Sequence, residues 1–448
     1  MLQNQLKPIK FSLLLIFAII FSIINTSSYA ANNTTEPEMA KSFMHMVRAN
    51  FSIVDDPIIQ NYIQALGQRL VKHSNNPNKK FRFFVVDDDT INAFSGPDGY
   101  IGINSGIAMA TISESELASV LAHEITHATQ KHILRARDEE SSLVLPKIAA
   151  TAAMIAAGMA TKSNSSATTG GVLAGMAGGD QFEINTIRGF EREADRIGIK
   201  VLYLSGFDPA AMPEFFERVE SRSLNSVGDT PASLLDHPVT GERIADARNR
   251  AMQYPKHKVI ENHDYYLIKA RLKALTSGTD YTTSNYFKEC MLDKNEVNSD
   301  AGKYGYALFL MNSSKNQSAA ELINTLLAKH PNNVIYKLTF AELKSKENHN
   351  QEALVILQKL LSENPDSYPV IIQYAQTLIE AKSYQHAENF LTAQTQNYPD
   401  DPEVYDLLTS AHAKNGHLAA AYQSRAKLFS ILGYDKAAKL QLEQVKNN

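Results

Sequence analysis

Apolar residues recur every three or four positions in the segment that begins at Asp56, which predicts an amphipathic helix. Asp56 is a suitable N-cap for this helix, and Pro57 suits its first position. The apolar face consists of Ile59, Tyr62, Ile63, Leu66 and Leu70. The segment is therefore expected to pack against a core by one face.

Further along the chain, helical spacing gives way to short runs of aromatic and β-branched residues. FRFFVVDDD is typical of a strand, and INAFSGPDGYIGINSG predicts two more strands, because GPDG forms a turn inside it. Helical spacing returns from about Ser113 to Arg137, where Ser113 and Glu116 match a capping box. These patterns predict a small sheet followed by a long helix.

The C-terminal third contains a sequence repeat of 34 residues. The residues that recur at this spacing are Ala319, Ala353, Ala387 and Ala421, and Pro331, Pro365 and Pro399. A helix-turn-helix unit of this length, with a small residue where helices cross and a proline at its end, is typical of tetratricopeptide repeats. We expect such repeats over residues 315–430 and degenerate ones over residues 264–314.

The N-terminus has the organisation of a secretory signal. Lys7 and Lys10 precede the apolar run FSLLLIFAIIFSII, and small and polar residues follow it up to Ala30. The run is shorter than the roughly 20 residues of a membrane-spanning helix, so we expect cleavage near Ala30 rather than a membrane anchor.

The net charge and the cysteine content exclude one class of partner and one kind of covalent bond. The chain has 448 residues, enough for two or three domains, and a net charge of −4 without a basic block, so nucleic acid is not expected as a partner. The single cysteine, Cys290, excludes an intramolecular disulfide and is expected to be buried and inert.

The segment LAHEITHATQKHI, inside the predicted long helix, carries two histidines four residues apart, His123 and His127. This spacing places both imidazoles on one face of a helix, with Glu124 rotated by about 100°. The H-E-x-x-H arrangement binds zinc and uses its glutamate as a general base. The alternative is a polar helix with solvated histidines, but the neighbouring apolar residues indicate burial, and buried imidazoles need partners.

A catalytic zinc site needs a third protein ligand, and FEREADRIG offers carboxylates at helical spacing. We predict Glu191 as that ligand, with Glu193 as the competing candidate. Asp195 is predicted to accept the second ring N–H of a ligating histidine. The expected centre is one zinc ion per chain, bound by His123, His127 and Glu191.

The chain resembles the M48 family of zinc metallopeptidases in three motifs, which occur in this order: HEITH, EREADRIG and LLDHPVTGERIADARNRA. INAFSGPDGYIGINSG is similar to the lead-in to the active helix of that family. The resemblance implies an α+β fold: a zincin-like metallopeptidase domain, mostly helical with a small sheet, followed by an all-α tetratricopeptide solenoid. The expected divisions are a signal peptide at 1–30, the peptidase domain at 31–262 and the repeats at 263–448.

The resemblance adds a further site residue. His237 aligns with a family histidine that occupies the fourth zinc position and holds the enzyme latent; the alternative is a structural role before Pro238. Arg243 is a candidate donor to the developing oxyanion, with a salt bridge as its alternative. Asn92 and the strand at 100–104 are expected to bind the substrate backbone as an added strand.

The resemblance also implies a function in the periplasm. The expected activity is an endopeptidase with chaperone-like assistance in the assembly and quality control of outer-membrane β-barrel proteins. The implied partners are unfolded or stalled outer-membrane proteins, the β-barrel assembly machinery and the lipopolysaccharide-transport barrel. The alternative is a scaffold or chaperone in which the repeats carry the function and the metal site is latent or structural.

One segment keeps two interpretations open. Residues 148–160 are rich in alanine and methionine, and residues 161–180 in glycine, serine and threonine. They form either a core helix with a surface loop, or a mobile lid or membrane-touching element beside the site. The apolar part is too short to span a bilayer, so a membrane-embedded relative of the family is not supported.

Overall fold

The computed structural model describes residues 35–138, 181–225, 237–259 and 262–446. The chain divides into two compact units, the first with residues up to 53 and 64–261, the second with residues 54–63 and 262–448. The predicted signal peptide and the segment 148–180 lie outside the described residues. Among the residues described, no helix combines the length and the apolarity that crossing a bilayer requires.

The first unit combines helices with one small sheet. Its helices are α1 (Glu36–Asn50), α2 (Pro57–Val71, which begins within the second unit), α3 (Ser105–Ala110), α4 (Glu114–Thr129), α5 (His132–Asp138), α6 (Gln181–Leu204), α7 (Ala211–Asn225) and α8 (Gly241–Ala251). Its strands are β1 (Arg82–Val86), β2 (Ala93–Ser95) and β3 (Tyr100–Asn104). The mixed helix-and-sheet class predicted for this region is confirmed.

The three strands are ordered β1-β3-β2, with β1 parallel and β2 antiparallel to β3. Because β3 is paired on both sides, the strand at 100–104 has no edge to offer a substrate, and its predicted role in backbone pairing was wrong. Within the described ranges, the sheet has two edge strands, β1 and β2, on opposite sides of β3. On the β2 side of the sheet, a peptide can therefore add as a further strand only by pairing with β2, not with β3.

The start of α2 follows the predicted cap. The backbone N–H of Ile59 donates to the Asp56 carboxylate at 3.0 Å, which confirms the N-cap. Ile59, Ile63 and Leu70 are each at most 1% exposed. The predicted apolar face is therefore the one that packs against the core.

The long helix predicted to reach Arg137 ends at Thr129 instead. Lys131 has φ 54°, in the left-handed region, and α5 begins at the next residue, His132. This conformation costs a non-glycine residue about 1–2 kcal/mol, so surrounding contacts must stabilise it. No glycine or proline lies between Thr129 and His132, so the sequence pattern did not predict that the helix ends there.

The second unit consists of helices throughout its described residues. They are α9 (His263–Thr276), α10 (Tyr281–Met291), α11 (Glu296–Asn312), α12 (Asn316–Lys329), α13 (Val334–Lys346), α14 (Asn350–Glu363), α15 (Tyr368–Glu380), α16 (Tyr384–Asn397), α17 (Pro402–Lys414), α18 (Leu418–Leu432) and α19 (Asp435–Val445). The alanines that recur in the sequence are at most 6% exposed, as expected where helices cross. The predicted all-α solenoid is confirmed.

A second 34-residue series appears only in the backbone. The residues with positive φ between paired helices are Ser314, Asn348, Lys382 and Gly416. Each lies in the tight turn within one helix pair. Four different residue types occupy this left-handed backbone conformation, so the series cannot be seen in the sequence.

Cys290 has a free thiol and is only partly buried, which corrects the expectation of full burial. Burial raises the pKa of its thiol. The expected inertness therefore depends on a thiolate that is disfavoured at neutral pH rather than on complete shielding.

Candidate active site

The structure brings all of the predicted site residues into one cluster of the first unit. They are His123, Glu124, His127, Glu191, Asp195, His237 and Arg243. All except His237 are buried, and the His237 side chain is 23% exposed. The cluster is assembled from α4, α6, α8 and the segment that leads into α8.

Small residues on α6 allow it to lie close to α4. Ala194 is fully buried, and a Cβ added at Gly198 would lie 3.4 Å from the backbone nitrogen of His123. Larger side chains at these positions would push the two helices apart. The close approach places the acidic face of α6 against the histidine face of α4.

Four potential ligand atoms converge at one point. The Nε2 atoms of His123 and His127 are 3.0 Å apart, and they lie 3.4 and 3.3 Å from the Glu191 carboxylate oxygens. His237 Nδ1 lies 2.8 Å from Glu191 Oε1, and the ligand atoms of all four residues lie within 4.8 Å of one another.

These separations fit a single metal ion. Ligand atoms 2.0–2.1 Å from a tetrahedral metal ion would be about 3.3–3.4 Å apart. Two imidazoles and a carboxylate are suitable donors for a first-row divalent metal. The donor set and its spacing are therefore compatible with one divalent ion among His123, His127 and Glu191, and His237 is close enough to be a fourth ligand.

The second nitrogen of His123 also has a partner. His123 Nδ1 lies 3.0 Å from Asp195 Oδ1, the contact predicted for this carboxylate. Glu193, the competing candidate for the metal, instead contacts His132 Nε2 at 3.3 Å and Arg135 at 2.9 Å. Of the two glutamates, the structure places Glu191 against the histidine pair.

Arg243 lines the cavity beside Glu124, and its guanidinium contacts two carboxylates of the cluster. Its Nε and Nη2 donate to the Asp195 carboxylate at 2.8 Å each, and its Nη1 contacts Glu191 Oε2 at 2.9 Å. Nη1 also donates to the carbonyl of Pro238 at 2.8 Å. These contacts favour the salt-bridge alternative over the predicted oxyanion donor, because the guanidinium is occupied by carboxylates.

Glu124 faces a small cavity beside the cluster. His237 Nε2 is 3.6 Å from its carboxylate. The apolar residues that line the cavity include Ile91, Ala93, Phe215, Phe216, Val219 and Val239. Because Ala93 belongs to β2, this edge strand reaches the same cavity as Glu124. Asn92, predicted to bind substrate, also lines this cavity but is itself fully buried.

The two adjacent histidines differ in their affinity for protons. Burial opposes protonation of His123, but contacts with Asp195 and Glu191 outweigh it and raise its pKa to about 10. Burial lowers the pKa of His127 to about 3. The two Nε2 atoms are 3.0 Å apart, so a positive charge on His123 opposes a second positive charge on His127.

Both carboxylates stay ionised inside the cluster. Burial would raise the pKa of Glu191, but the charges of His237 and His127 hold it well below its ordinary value. Burial likewise opposes ionisation of Asp195, whose pKa is nevertheless lowered by His123 and Arg243. At neutral pH, an ionised Glu191 can bind a metal, and an ionised Asp195 can accept a hydrogen bond from the Nδ1–H of His123.

Sequence reasoning missed His132, although it lies in the segment that contains the H-E-x-x-H motif. Its Nδ1 lies 3.0 Å from Nδ1 of His127. In an unbroken helix, a residue five positions after His127 would not share its face. The break at Lys131 brings the two rings together.

Comparison with known protein families gives two matches. The family described as Peptidase family M48 matches residues 57–251, and a tetratricopeptide repeat family matches residues 345–411. The first range contains the whole cluster described above. The second lies inside the predicted repeats.

Whole proteins with similar sequences cover most of this chain. The β-barrel assembly-enhancing protease of Yersinia pestis is 34% identical over 417 residues, which cover 91% of this chain and 83% of the relative. The protein of the same name from Escherichia coli K12 is 34% identical over 401 residues, 89% of this chain and 81% of the relative. The mitochondrial metalloendopeptidase OMA1 of Schizosaccharomyces pombe is 28% identical over 183 residues, 41% of this chain and 50% of the relative.

Proposed function

This chain belongs to peptidase family M48 as a metallopeptidase with tetratricopeptide repeats, and on that premise we propose that it is a periplasmic zinc-dependent endopeptidase. Its proposed role is the assembly and quality control of outer-membrane β-barrel proteins, supported by similarity to the two β-barrel assembly-enhancing proteases. The observation that carries the proposal is the meeting of the His123, His127 and Glu191 ligand atoms beside Glu124.

In this proposal, His123, His127 and Glu191 hold one zinc ion. Bound zinc would supply Lewis acidity, polarising the scissile carbonyl and lowering the pKa of water. Glu124 takes a proton from the water whose oxygen forms the new bond to the carbonyl carbon. As the C–N bond breaks, Glu124 delivers that proton to the leaving nitrogen.

The surrounding residues keep this arrangement oriented. Asp195 accepts a hydrogen bond from the Nδ1–H of His123, so that Nε2 presents its lone pair to the metal. Arg243 holds Asp195 by two parallel hydrogen bonds and ties the carbonyl of Pro238 to the same group. We therefore assign Arg243 a positioning role for the metal-binding residues and for the segment that carries His237.

We place the substrate backbone along β2. Extended peptides add to exposed sheet edges through main-chain hydrogen bonds, and β2 is the edge strand that reaches the cavity beside Glu124. The apolar lining from Phe215, Phe216 and Val219 would accept an apolar side chain of the substrate.

The repeats are proposed to bind protein partners on their helical surfaces. Those partners are unfolded or stalled outer-membrane proteins, the β-barrel assembly machinery and the lipopolysaccharide-transport barrel. The chain would be exported by a signal peptide that is cleaved near Ala30, with the peptidase domain at 31–262 and the repeats at 263–448. Contact of residues 148–160 with a membrane surface belongs to the same proposal.

Removal of the metal tests the proposed reaction directly. The untreated protein is expected to cleave an unfolded outer-membrane β-barrel protein, and chelation is expected to slow cleavage by at least about 100-fold, because the Lewis acid is lost. One equivalent of zinc should restore the rate. Cleavage is followed by gel electrophoresis with metal content measured on the same samples, and an undiminished rate in chelated protein would contradict the proposal.

Replacing His237 with alanine is expected to raise the cleavage rate by about tenfold, if the closed arrangement accounts for about nine-tenths of the molecules. His237 Nδ1 contacts Glu191 at 2.8 Å, and its Nε2 lies 3.6 Å from the Glu124 carboxylate. The measurement is the initial rate on unfolded substrate at equal zinc content. His257→Ala is the control, since His257 is exposed and contacts the ring of Tyr203 instead. A variant no faster than wild type would rule out latency through His237.

A further inference from the structure

We infer that His132, backed by Glu193, is a positioning residue that fixes the tautomer and ring orientation of His127. This inference rests on the proposed metal site, since it assigns a second nitrogen partner to one of its ligands. His132 belongs to α5 and Glu193 to α6, so the pair depends on packing between these helices.

The contacts form a continuous chain. His132 Nδ1 lies 3.0 Å from His127 Nδ1, and His132 Nε2 lies 3.3 Å from Glu193 Oε2. The His132 ring is 3% exposed and stacks on Phe190, with ring centroids 4.5 Å apart and planes at 16°. Arg135 contacts the same oxygen of Glu193 at 2.9 Å. Both ends of the imidazole are therefore engaged, and its plane is held by an aromatic ring.

Only one arrangement of protons satisfies this chain and a metal together. A metal at His127 Nε2 takes the lone pair there, so the proton of neutral His127 must be on Nδ1. His132 Nδ1 must then accept that proton's hydrogen bond, which places the His132 proton on Nε2. The Glu193 carboxylate, which can only accept, favours that tautomer of His132.

The other histidine of the pair has an equivalent partner. His123 Nδ1 lies 3.0 Å from the Asp195 carboxylate, the same distance that separates His127 from His132. A ligating histidine normally donates its second N–H to a carboxylate, a carbonyl or water. For His127 that acceptor is the His132 imidazole, and the Glu193 carboxylate contacts the other nitrogen of that imidazole.

The backbone supports a specific role for this contact. His132 reaches His127 only because Lys131 adopts φ 54°, which costs about 1–2 kcal/mol for a residue with a side chain. Such a residue persists only where surrounding contacts over-determine its conformation.

Zinc affinity of the full-length chain tests this inference. His132→Phe keeps a ring to stack on Phe190 but removes the acceptor, and we expect zinc to bind about 10–100-fold more weakly. His132→Asn places a side-chain oxygen near the former Nδ1 position, and we expect it to bind within about threefold of wild type because the acceptor is restored. Affinity is measured by competition with a fluorescent chelator, and thermal unfolding of the metal-free proteins is followed by circular dichroism.

The matched control is His412→Phe, which replaces a buried histidine of the repeats that contacts Ser424 at 3.0 Å. It should leave zinc affinity unchanged. Wild-type affinity in folded His132→Phe, or equal weakening in the Phe and Asn variants, would overturn the inference. Should His132→Phe not fold, the Asn variant decides: zinc affinity within about threefold of wild type supports the role, and a larger loss overturns it.

These outcomes are separate from the fate of the proposed function. If wild-type protein bound no zinc, or if Glu124→Gln cleaved as fast as wild type, the peptidase proposal itself would fail. If the wild-type protein binds zinc and the His132 variants bind zinc with wild-type affinity, the peptidase proposal stands and the positioning role is excluded.

Discussion

Replacing Glu124 with glutamine is expected to lower kcat by about 10³-fold, because general acid-base catalysis contributes roughly 10²–10⁴-fold and the amide cannot accept the proton of water. The side chain keeps its size, and Glu124 is not among the four grouped ligand residues. Zinc content should therefore stay at one ion per chain. Single-turnover cleavage of unfolded substrate, with metal analysis of the same preparation, measures both quantities.

Glu114→Gln provides a matched control, since Glu114 is a buried glutamate in the first turn of the same helix, away from the cavity lining. Its kcat should stay within about twofold of wild type. Retention of more than a tenth of wild-type kcat in Glu124→Gln would remove Glu124 from the mechanism. A wild-type protein that holds zinc yet cleaves nothing would favour the scaffold alternative.

Replacing Arg271 with leucine is expected to lower the free energy of unfolding by about 3–5 kcal/mol, the usual cost of breaking a buried ion pair. The Arg271 side chain is 7% exposed and its Nη2 lies 2.7 Å from Asp56 Oδ2. It also contacts Glu342 and the hydroxyl of Tyr304, each at 3.2 Å. Without the guanidinium, the Asp56 carboxylate is left buried without its counterion.

Urea unfolding followed by far-ultraviolet circular dichroism measures this loss. Arg425→Leu is the control, because Arg425 is an exposed arginine of the repeats and should change stability by less than about 0.5 kcal/mol. Adding Asp56→Asn to Arg271→Leu should cost less than the sum of the single changes, since the uncompensated charge is removed. A loss below about 1 kcal/mol for Arg271→Leu would show that the pair contributes little.

Spacing within single elements was sufficient to predict much of the candidate site. Residues four apart in a helix share a face whatever surrounds them, which is why His123 and His127 were predicted to act together. The cap at Asp56 and the 34-residue alanine series also follow from local geometry. These features depend on backbone hydrogen bonds between near neighbours in the chain.

Contacts between separate helices and strands could not be predicted from the spacing of residues within one element. Glu191 and Glu193 are two residues apart and point about 200° from each other on α6, so which of them meets the histidines depends on how α6 turns toward α4. Arg243 was predicted with two alternatives because its partners, Glu191 and Asp195, lie about fifty residues away. The central position of β3 likewise depends on which strands pair.

The sequence by itself determined the helical repeats, the histidine pair with its neighbouring glutamate, and membership of a metallopeptidase family. Only the tertiary structure showed that Glu191 lies beside the histidine pair, that Arg243 contacts Asp195 and Glu191, and that His132 lies 3.0 Å from His127. The physical reason is that helical periodicity is set by the local backbone. The meeting of side chains from α4, α5, α6 and α8 is set by packing, which no single segment encodes.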